Sequence, residues 1–338
     1  MGFLIDLNLK NRIMNRIKTI AFATLFCAGA LSGCLQTDSQ TAQKVSYEQL
    51  DSLLDDHFNF IVANDLGRNG YYDQKIIAER MGELAENTDI EFVAAAGDVH
   101  HFEGVASVDD PLWMTNYELI YAHPELMIDW FPVLGNHEYR GNTQAVLDYD
   151  QISRRWNMPD RYYAQSYELD NGASLKLVFI DTTPLIDKYH QEAEESYADV
   201  AEQSIDRELR WIDSTLKAST ETWKVVIGHH PVYAQTSKDD QERLDMQQRL
   251  DPLLRKYGVD LYVCGHIHNF QHIKPSDSEV DYVVNTSGSL SRKVSPIEGT
   301  QFCSSETGFS VVSVSDKELK LYMLDKDCRI LHTVDCSK

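Results

Sequence analysis

Short apolar runs, each followed at once by a polar loop, are the feature of this sequence that most restricts its fold. Each run is five or six residues long, and the runs are rich in Val, Ile, Phe and Tyr. Continuous apolar runs of this length are typical of strands that are buried on both faces. The predicted strands are residues 58–63, 91–96, 130–134, 175–180, 223–227, 260–264 and 280–284.

Segments with helical periodicity separate these runs. They are residues 73–86, 112–129, 143–156, 197–217 and 240–257, and three further strands are predicted at 308–314, 319–325 and 329–335. Strands that alternate with helices indicate a layered α/β fold. Such folds bind ligands beyond the carboxyl ends of their strands, so the residues that follow each strand carry the functional prediction.

Asp, Asn, His and Glu residues follow six of the predicted strands. They are Asp65, Asp98, His100, His101, Asn136, His137, Glu138, Asp181, His229, His230, His266 and His268. Seven of the twelve histidines of the chain are in this set, and all are expected at one edge of the sheet structure. Carboxylate, imidazole and amide donors together suit Zn, Fe or Mn. A carboxylate between two such ions can bridge them, and a pair of ions can hold the attacking and leaving oxygens of a displacement at phosphorus.

The charge of the chain excludes nucleic acid as a partner. The formal net charge is −22, and because residues 1–33 contribute +3, the rest of the chain carries −25. Such a surface repels nucleic acid and also repels anionic phosphate substrates. Few Lys and Arg residues lie near the polar loops in the sequence, so bound metal ions are expected to supply the local positive charge.

The order D…GD…GNHE…GHH…GHxH resembles that of the calcineurin-like metallophosphoesterases. It is most similar to the tartrate-resistant branch of the purple acid phosphatases, from about residue 58 to about residue 324, including residues 102–105, 153–156 and 257–259. The resemblance implies a four-layer α/β/β/α sandwich with a dinuclear metal site at the strand ends. It also implies one metallophosphoesterase domain, which we expect over residues 51–338.

The resemblance implies a role for most of the polar residues. The first metal would be held by Asp65, Asp98 and His268, and the second by Asp98, Asn136, His229 and His266. A hydroxide held by two ions of Fe, Zn or Mn would attack phosphorus in a small phosphorylated substrate. His137 would protonate the leaving alkoxide, and Glu138 or another carboxylate would orient its imidazole. Asp181 is expected to be structural.

One position departs from the pattern of the purple enzymes. Those enzymes have a Tyr three residues after the bridging Asp, and this Tyr binds ferric iron. The equivalent residue in this chain is His101. The wider family often supplies the equivalent ligand from D-x-H, where this chain has Gly67. We therefore expect His101 to be a ligand and the protein not to be purple, which leaves iron and an acidic pH optimum open. His100 is the alternative ligand, and His100 and His230 are otherwise candidate substrate contacts, with a hydrogen-bonded wall residue as the other interpretation of His230.

The N-terminal residues resemble a bacterial lipoprotein signal. Residues 1–33 contain a basic start and an apolar run too short to span a bilayer, and they end just before Cys34. Lipidation of Cys34 would anchor an exported protein to a bacterial membrane, on its periplasmic or cell-surface side, through a tether at residues 34–50. An ordinary signal peptide or a single membrane anchor is the alternative, and translation could begin at Met1 or Met14. A monomer is expected.

Four cysteines remain after the signal, and Cys264 lies in a predicted strand, where a buried free thiol is expected. The three C-terminal strands are expected to form an antiparallel meander. The start of its first strand would then lie near the turn between its second and third strands. This geometry favours a Cys303–Cys328 disulfide over either pairing with Cys336.

Phosphate monoester hydrolysis is the leading functional prediction. The same metals could instead cleave phosphodiesters or nucleotide phosphoanhydrides, and loops 101–112, 184–197 and 289–306 are expected to decide the substrate. A non-enzymatic alternative is a lipoprotein that uses a degenerate phosphatase fold to bind a partner. Such a protein would be expected to have lost metal ligands, whereas this chain retains all but the Tyr position.

Overall fold

Fourteen strands and eight α-helices make up the described part of the protein, residues 43–44, 46–169 and 172–336, in a computed structural model. The strands are β1 Gln43–Lys44, β2 Phe58–Ala63, β3 Phe92–Ala95, β4 Asp129–Pro132, β5 Tyr163–Glu168, β6 Ser174–Phe179, β7 Trp223–Ile227, β8 Leu261–Cys264, β9 Phe270–Ile273, β10 Asp281–Val284, β11 Thr300–Ser304, β12 Gly308–Val314, β13 Leu319–Asp325 and β14 Arg329–Asp335. The predicted signal, Cys34 and the predicted tether up to residue 42 lie outside the described residues.

The helices connect the strands, and four of the eight in the described chain begin at a residue whose side chain caps the first turn. The eight helices are α1 Tyr47–Leu54, α2 Gln74–Asn87, α3 Thr143–Asp148, α4 Asp187–Gln191, α5 Ala193–Ser196, α6 Ile205–Ala218, α7 Asp240–Arg249 and α8 Asp251–Lys256. Ser46 and Gln49 form a capping box at the start of α1, which satisfies backbone N–H groups that the helix itself leaves free. Helix α1 lies across residue 51, the predicted start of the domain.

The strands form two seven-stranded sheets. Their orders are β1-β14-β13-β12-β2-β3-β4 and β11-β9-β10-β8-β7-β6-β5. Strands β2, β3 and β4 run parallel in the first sheet, as do β6, β7, β8 and β10 in the second. Their carboxyl ends are level, because Ala63 pairs with Ala95 and Ala95 with Pro132. The polar loops after these strands therefore leave each sheet at one edge.

Aromatic side chains fill the space between the two sheets. The ring of Phe58 lies 4.8 Å from that of Tyr167, and the ring of Phe131 lies 5.9 Å from that of Phe179. Burial of each such side chain stabilises the fold by about 1.5–3 kcal/mol. With helices outside the two packed sheets, the predicted four-layer α/β/β/α architecture is confirmed.

All ten predicted strands are present, but four of the five helix predictions are wrong in detail. Of residues 143–156 and 197–217, only α3 and α6 are α-helical. Residues 112–129 contain the π-helical turn Met114–Glu118 and the short 3-10 turn Pro124–Leu126 instead of one α-helix. Their buried aromatic side chains pack into a cluster, as in the 5.0 Å contact between Tyr117 and Trp130, rather than along one helical stripe. Residues 240–257 form two helices, α7 and α8, that part at Leu250. Strands β1, β5, β9 and β11 were not predicted.

The predicted Cys303–Cys328 disulfide is wrong. Cys264, Cys303, Cys328 and Cys336 are all free thiols in the described chain. Cys303 lies on β11, which pairs with β9 in the second sheet, whereas Cys328 lies in the turn between β13 and β14 of the first sheet. The meander prediction failed because the strand that contains Cys303 does not belong to the meander.

None of the helices in the described part of the chain has the length and apolar character that crossing a bilayer requires.

Candidate dinuclear metal site

Abrupt backbone turns end the strands that supply the site. Four of the predicted ligands, Asp65, Asp98, His266 and His268, have positive φ values of 52°, 53°, 71° and 64°. A non-glycine residue in this left-handed region costs of order 1–3 kcal/mol and is held there by the surrounding structure. Such strain is common at functional sites, and here it turns the chain at the point where each strand ends.

The first group of ligand atoms is centred on Asp65. Its Oδ2 atom accepts hydrogen bonds from Asn64 Nδ2 at 2.6 Å and from the backbone N–H of His266 at 2.8 Å. Its Oδ1 atom accepts no hydrogen bond and lies 2.9 Å from His268 Nε2 and 3.7 Å from His101 Nε2. One carboxylate oxygen is thus held by the fold, and the other faces two imidazoles.

The second group is centred on Asp98, whose two carboxylate oxygens also have different partners. Oδ1 accepts the backbone N–H of His137 at 3.0 Å, while Oδ2 lies 3.1 Å from His229 Nε2 and 3.7 Å from His101 Nε2. Nδ1 of His229 donates to the carbonyl of Ala96 at 2.9 Å, so its Nε2 is the nitrogen available to a metal. Asp98 belongs to two groups of possible ligands. One contains His101 and His137, and the other contains His229 and His266, so Asp98 lies between the two candidate metal positions.

Asn136 and His266 complete the second group. The side-chain oxygen of Asn136 is buried and has no hydrogen-bond partner among the described residues. Nε2 of His266 lies 3.0 Å from Glu242 Oε2, and Lys238 Nζ lies 2.9 Å from Nε2 and 3.2 Å from Nδ1 of the same ring. An imidazole held by a carboxylate on its far nitrogen is a common arrangement at metal ligands.

The site fits two metal ions on the chemistry of its donors. Buried polar atoms normally have hydrogen-bond partners, yet several at this edge have none within the described part of the chain: Asp65 Oδ1, His101 Nδ1 and Nε2, Asn136 Oδ1, His229 Nε2 and His268 Nδ1. The ligand atoms within each group lie within 4.8 Å of one another. Bound cations would give these unpartnered oxygen and nitrogen atoms a partner. The mixture of carboxylate, imidazole and amide suits Fe, Zn or Mn.

Asp65, Asp98 and His101 have the protonation states that metal binding requires. Burial would raise the pKa values of Asp65 and Asp98, but the surrounding imidazoles hold both well below the usual value. Burial lowers the pKa of His101 to about 4, so its imidazole is neutral at neutral pH. Ionised carboxylates and neutral imidazoles are the forms that ligate metals. His229 differs, because the charge of Asp98 outweighs burial and raises the pKa of His229 to about 9, so a bound metal would displace its proton.

His137 lies beside the ligand groups but is held by a different partner than expected. Its Nδ1 donates to the carbonyl oxygen of Phe102 at 2.8 Å, and its Nε2 lies 4.0 Å from Asp98 Oδ2. The prediction that Glu138 orients this imidazole is wrong. The buried carboxylate of Glu138 instead accepts the backbone N–H groups of Asp98, His100 and Gly135 at 3.0, 2.9 and 2.7 Å.

Of the adjacent histidines, His101 faces the carboxylates and His100 does not. The ring of His100 is buried 4.3 Å from that of Trp113, and its Nδ1 lies 3.4 Å from Asn116. This arrangement favours His101 as the metal ligand and gives His100 no access to substrate.

His230 and Asp181 are buried behind the site. Both ring nitrogens of His230 are hydrogen-bonded, to Thr182 and Tyr189, each at 2.9 Å, which favours the interpretation as a wall residue. Asp181 accepts a hydrogen bond from Tyr139 and lies outside the three ligand groups, which supports a structural role.

Three cationic residues near the site, Arg68, Lys238 and Arg292, were not predicted from the sequence. The charges of Asp65 and Asp98 act on both Arg68 and Lys238, and Arg292 acts on both of these cations in turn. Arg68 follows Asp65 by three residues, so its closeness was a usable local signal. Lys238 and Arg292 reach the site only through the tertiary fold, the latter because its backbone N–H donates to His268 O at 2.7 Å.

Two packed sheets with Asp, Asn and His donors gathered at their strand ends define a metal-dependent phosphoesterase. The sequence profile of the family described as Calcineurin-like phosphoesterase matches residues 58–270, and the chain belongs to that family. Purple acid phosphatase 3 of Arabidopsis thaliana is 33% identical over 291 residues, which cover 83% of this chain and 78% of the relative. Tartrate-resistant acid phosphatase type 5 of Homo sapiens is 29% identical over 263 residues, 72% of this chain and 79% of the relative. The protein is accordingly a metallophosphatase.

Solved structures share the fold. "GAP50 the anchor in the inner membrane complex of Plasmodium" superposes with a TM-score of 0.71 at 23% identity, covering 83% of this chain and 89% of that one. Purple acid phosphatase PPD1 from yellow lupin seeds superposes with a TM-score of 0.59 at 15% identity, covering 82% of this chain and 53% of that one. At these identities, the likeness shows the fold alone.

Proposed function

We propose that this protein hydrolyses phosphate monoesters, with His137 as the general acid for the leaving alcohol. The observation that carries the proposal is the position of Asp98 Oδ2. It lies 3.1 Å from His229 Nε2, 3.7 Å from His101 Nε2 and 4.0 Å from His137 Nε2. Because His101 also belongs to the group centred on Asp65, this oxygen lies near ligands of both groups and near the proposed acid.

Each group at the site has a task in this reaction. Two bound ions would supply positive charge at the phosphorus and activate the attacking water. His137 is free at Nε2 because Phe102 occupies Nδ1, so Nε2 is the atom that would deliver the proton. A positioned general acid typically contributes about 10²–10⁴-fold in rate. Arg68, Lys238 and Arg292 add positive charge that favours a dianionic monoester over a monoanionic diester.

The partner-binding alternative is not favoured. Every predicted ligand position carries a donor side chain, and six of the seven fall within the clustered groups, with Asn136 Oδ1 buried and unpartnered beside them. The likeness to the Plasmodium anchor concerns the fold and says nothing about retention of metal ligands in this chain.

A substrate panel tests the proposal. The full chain in detergent, loaded in turn with Zn, Mn or Fe, would be assayed on p-nitrophenyl phosphate, its bis ester and ATP. We expect kcat/KM for the monoester to exceed that for the diester by about tenfold or more, because one close charge pair contributes about 1.5 kcal/mol at the low end of the measured range. A diester or ATP preferred by that margin would instead support the diesterase or phosphoanhydride alternative.

A matched pair of variants links turnover to the site. Asp98→Ala should lose metal and activity together, because the shared carboxylate is removed. Asp55→Ala changes an exposed carboxylate after α1, at the opposite edge of the sheet, and should retain both. Equal activity of the two variants would contradict the assigned role of Asp98.

A further inference from the structure

We propose that the exposed ring of Phe102 forms a leaving-group subsite that favours monoesters whose alcohol carries an aromatic ring. The inference rests on the proposed function, because it takes the position of the leaving group from the position of His137. Phe102 directly follows the candidate ligand His101 in the chain.

The backbone of Phe102 lies beside the proposed general acid. Its carbonyl oxygen accepts the Nδ1 proton of His137 at 2.8 Å. A general acid must lie within hydrogen-bond reach of the oxygen that it protonates. The alcohol of the substrate must therefore extend past His137, and Phe102 is the residue that holds this imidazole in place.

The conformation of Phe102 turns its ring outward at a cost. Its φ is +65°, and its side chain is 58% exposed. A bulky residue in the left-handed region is a true outlier, and such strain is typical of ligand-binding positions. The carbonyl of Phe102 meets His137, and its large apolar ring stays in solvent one residue after the candidate ligand His101.

Arg68 covers part of the ring and gives the subsite a charge. Its guanidinium carbon lies 5.0 Å from the centroid of the Phe102 ring. Its Nε is buried without a hydrogen-bond partner, and Arg68 forms no ion pair within the described residues. Asp65 and Asp98 act on its charge, so the cation lies within electrostatic reach of the metal ligands. A phosphate ester would meet a cation on its anionic side and an aromatic face on its alcohol side.

An aromatic alcohol would gain more from this surface than an aliphatic alcohol of the same size. Ring pairs at centroid separations of about 4.5–7 Å are worth roughly 0.5–1.5 kcal/mol beyond the area that they bury.

The test compares 2-phenylethyl phosphate with 2-cyclohexylethyl phosphate. Both release primary alcohols of nearly equal acidity, so the ratio of their kcat/KM values reports contacts to the ring rather than chemistry at phosphorus. The full metal-loaded chain should prefer the phenyl ester by about 2- to 10-fold, the factor that corresponds to an aromatic pair. Phe102→Leu should bring the ratio close to one, and Phe102→Tyr should restore it.

A binding measurement gives a readout independent of turnover. Isothermal titration with the two corresponding phosphonates should show the same preference and the same response to Phe102→Leu. Leu53→Ala, which trims a 41% exposed apolar side chain on α1, is the control and should leave both ratios at the wild-type value. Metal content and circular dichroism identify any variant that has lost its fold.

The outcomes separate the two proposals. No hydrolysis of either ester by the metal-loaded wild type would contradict the proposed function itself. Hydrolysis of both esters at equal efficiency by the wild type would overturn the subsite and leave the function intact, and this comparison needs no variant. A phenyl preference that Phe102→Leu retains would also overturn the subsite, because another residue would then be responsible.

Discussion

The carbonyl oxygen of Phe102 accepts a hydrogen bond from Nδ1 of His137 at 2.8 Å. Because a carbonyl can only accept, this contact fixes the proton on Nδ1 and directs Nε2 toward the ligand groups. Burial lowers the pKa of His137, although the charge of Asp98 opposes the change. Nε2 carries a proton to donate only in the imidazolium form, so the lowered pKa makes this proton acidic and confines its transfer to the lower part of the pH range.

Replacement of His137 should separate metal binding from catalysis. We expect His137→Ala to retain both metals and to lower kcat by about 10²–10⁴-fold. The loss should be larger for an alkyl phosphate than for p-nitrophenyl phosphate, because a good leaving group needs little protonation. Steady-state kinetics and elemental analysis provide the measurement. Loss of metal in this variant would instead make His137 a ligand.

A tyrosine at residue 101 should bring a visible absorption band to the iron-loaded protein. His101 Nε2 lies 3.7 Å from both Asp65 and Asp98, so a phenolate there would reach ferric iron. His101→Tyr should therefore turn the Fe(III) protein violet. His100→Tyr is the matched control and should remain colourless, since His100 faces Trp113. A colourless iron-loaded His101→Tyr would place residue 101 outside the coordination sphere.

Gly135→Ala should disrupt metal binding because the added methyl group would collide with Asp98. A Cβ atom at residue 135 would lie 2.6 Å from the backbone nitrogen of Asp98 and closer still to its Oδ1. Because this distance is far below a normal contact, Asp98 must shift, and metal content and turnover should both fall at least tenfold. Gly258→Ala meets no atom within 4 Å and carries only the backbone cost of its φ of +59°, about 1 kcal/mol. Full metal occupancy in Gly135→Ala would contradict the close packing.

Stability should fall as pH rises because of a buried acidic pair. Burial raises the pKa of Asp181 to about 7, and burial and the charge of Asp181 raise the pKa of Glu208 above its usual value. Groups with raised folded pKa values bind protons in the native state that the unfolded chain has lost. Their stabilisation is present below about pH 4 and disappears as pH rises through the folded pKa values.

Glu208→Gln tests this linkage. The Glu208 Oε1 atom accepts the backbone N–H of Asp181 at 2.9 Å, and a Gln side chain can keep this bond without titrating. For the metal-free protein, the urea midpoint of the wild type should drop between pH 5 and pH 8.5, and that of the variant should drop less. Equal slopes would show that the pair does not determine the pH dependence.

Lipidation at Cys34 remains a prediction from the sequence. Expressed in a bacterium, the full chain should sediment with membranes and incorporate labelled palmitate. Cys34→Ser should abolish both, whereas Cys27→Ser, a change within the predicted signal itself, should abolish neither. Palmitate in the Cys34→Ser protein would rule out this residue as the anchor.

The ligand loops could be predicted because their signal is local. Each predicted ligand except His268 follows a strand of continuous apolar residues by a few positions, and His268 follows His266 by two. Parallel strands with level ends then bring the loops together without further information. Helix 112–129 failed because aromatic residues there pack on Trp130 and Trp156, a contact pattern that periodicity does not show.

The sequence by itself determined the layered α/β fold, the edge at which the site lies and the residue types that could hold metals. Those properties follow from short-range patterns of burial and from the chemistry of single side chains. Only the tertiary structure decided which of His100 and His101 faces the carboxylates, that a carbonyl rather than Glu138 holds His137, and that Lys238 and Arg292 reach the site. These outcomes depend on backbone turns and on contacts between segments far apart in the chain, where a rotation of one residue exchanges the groups that meet.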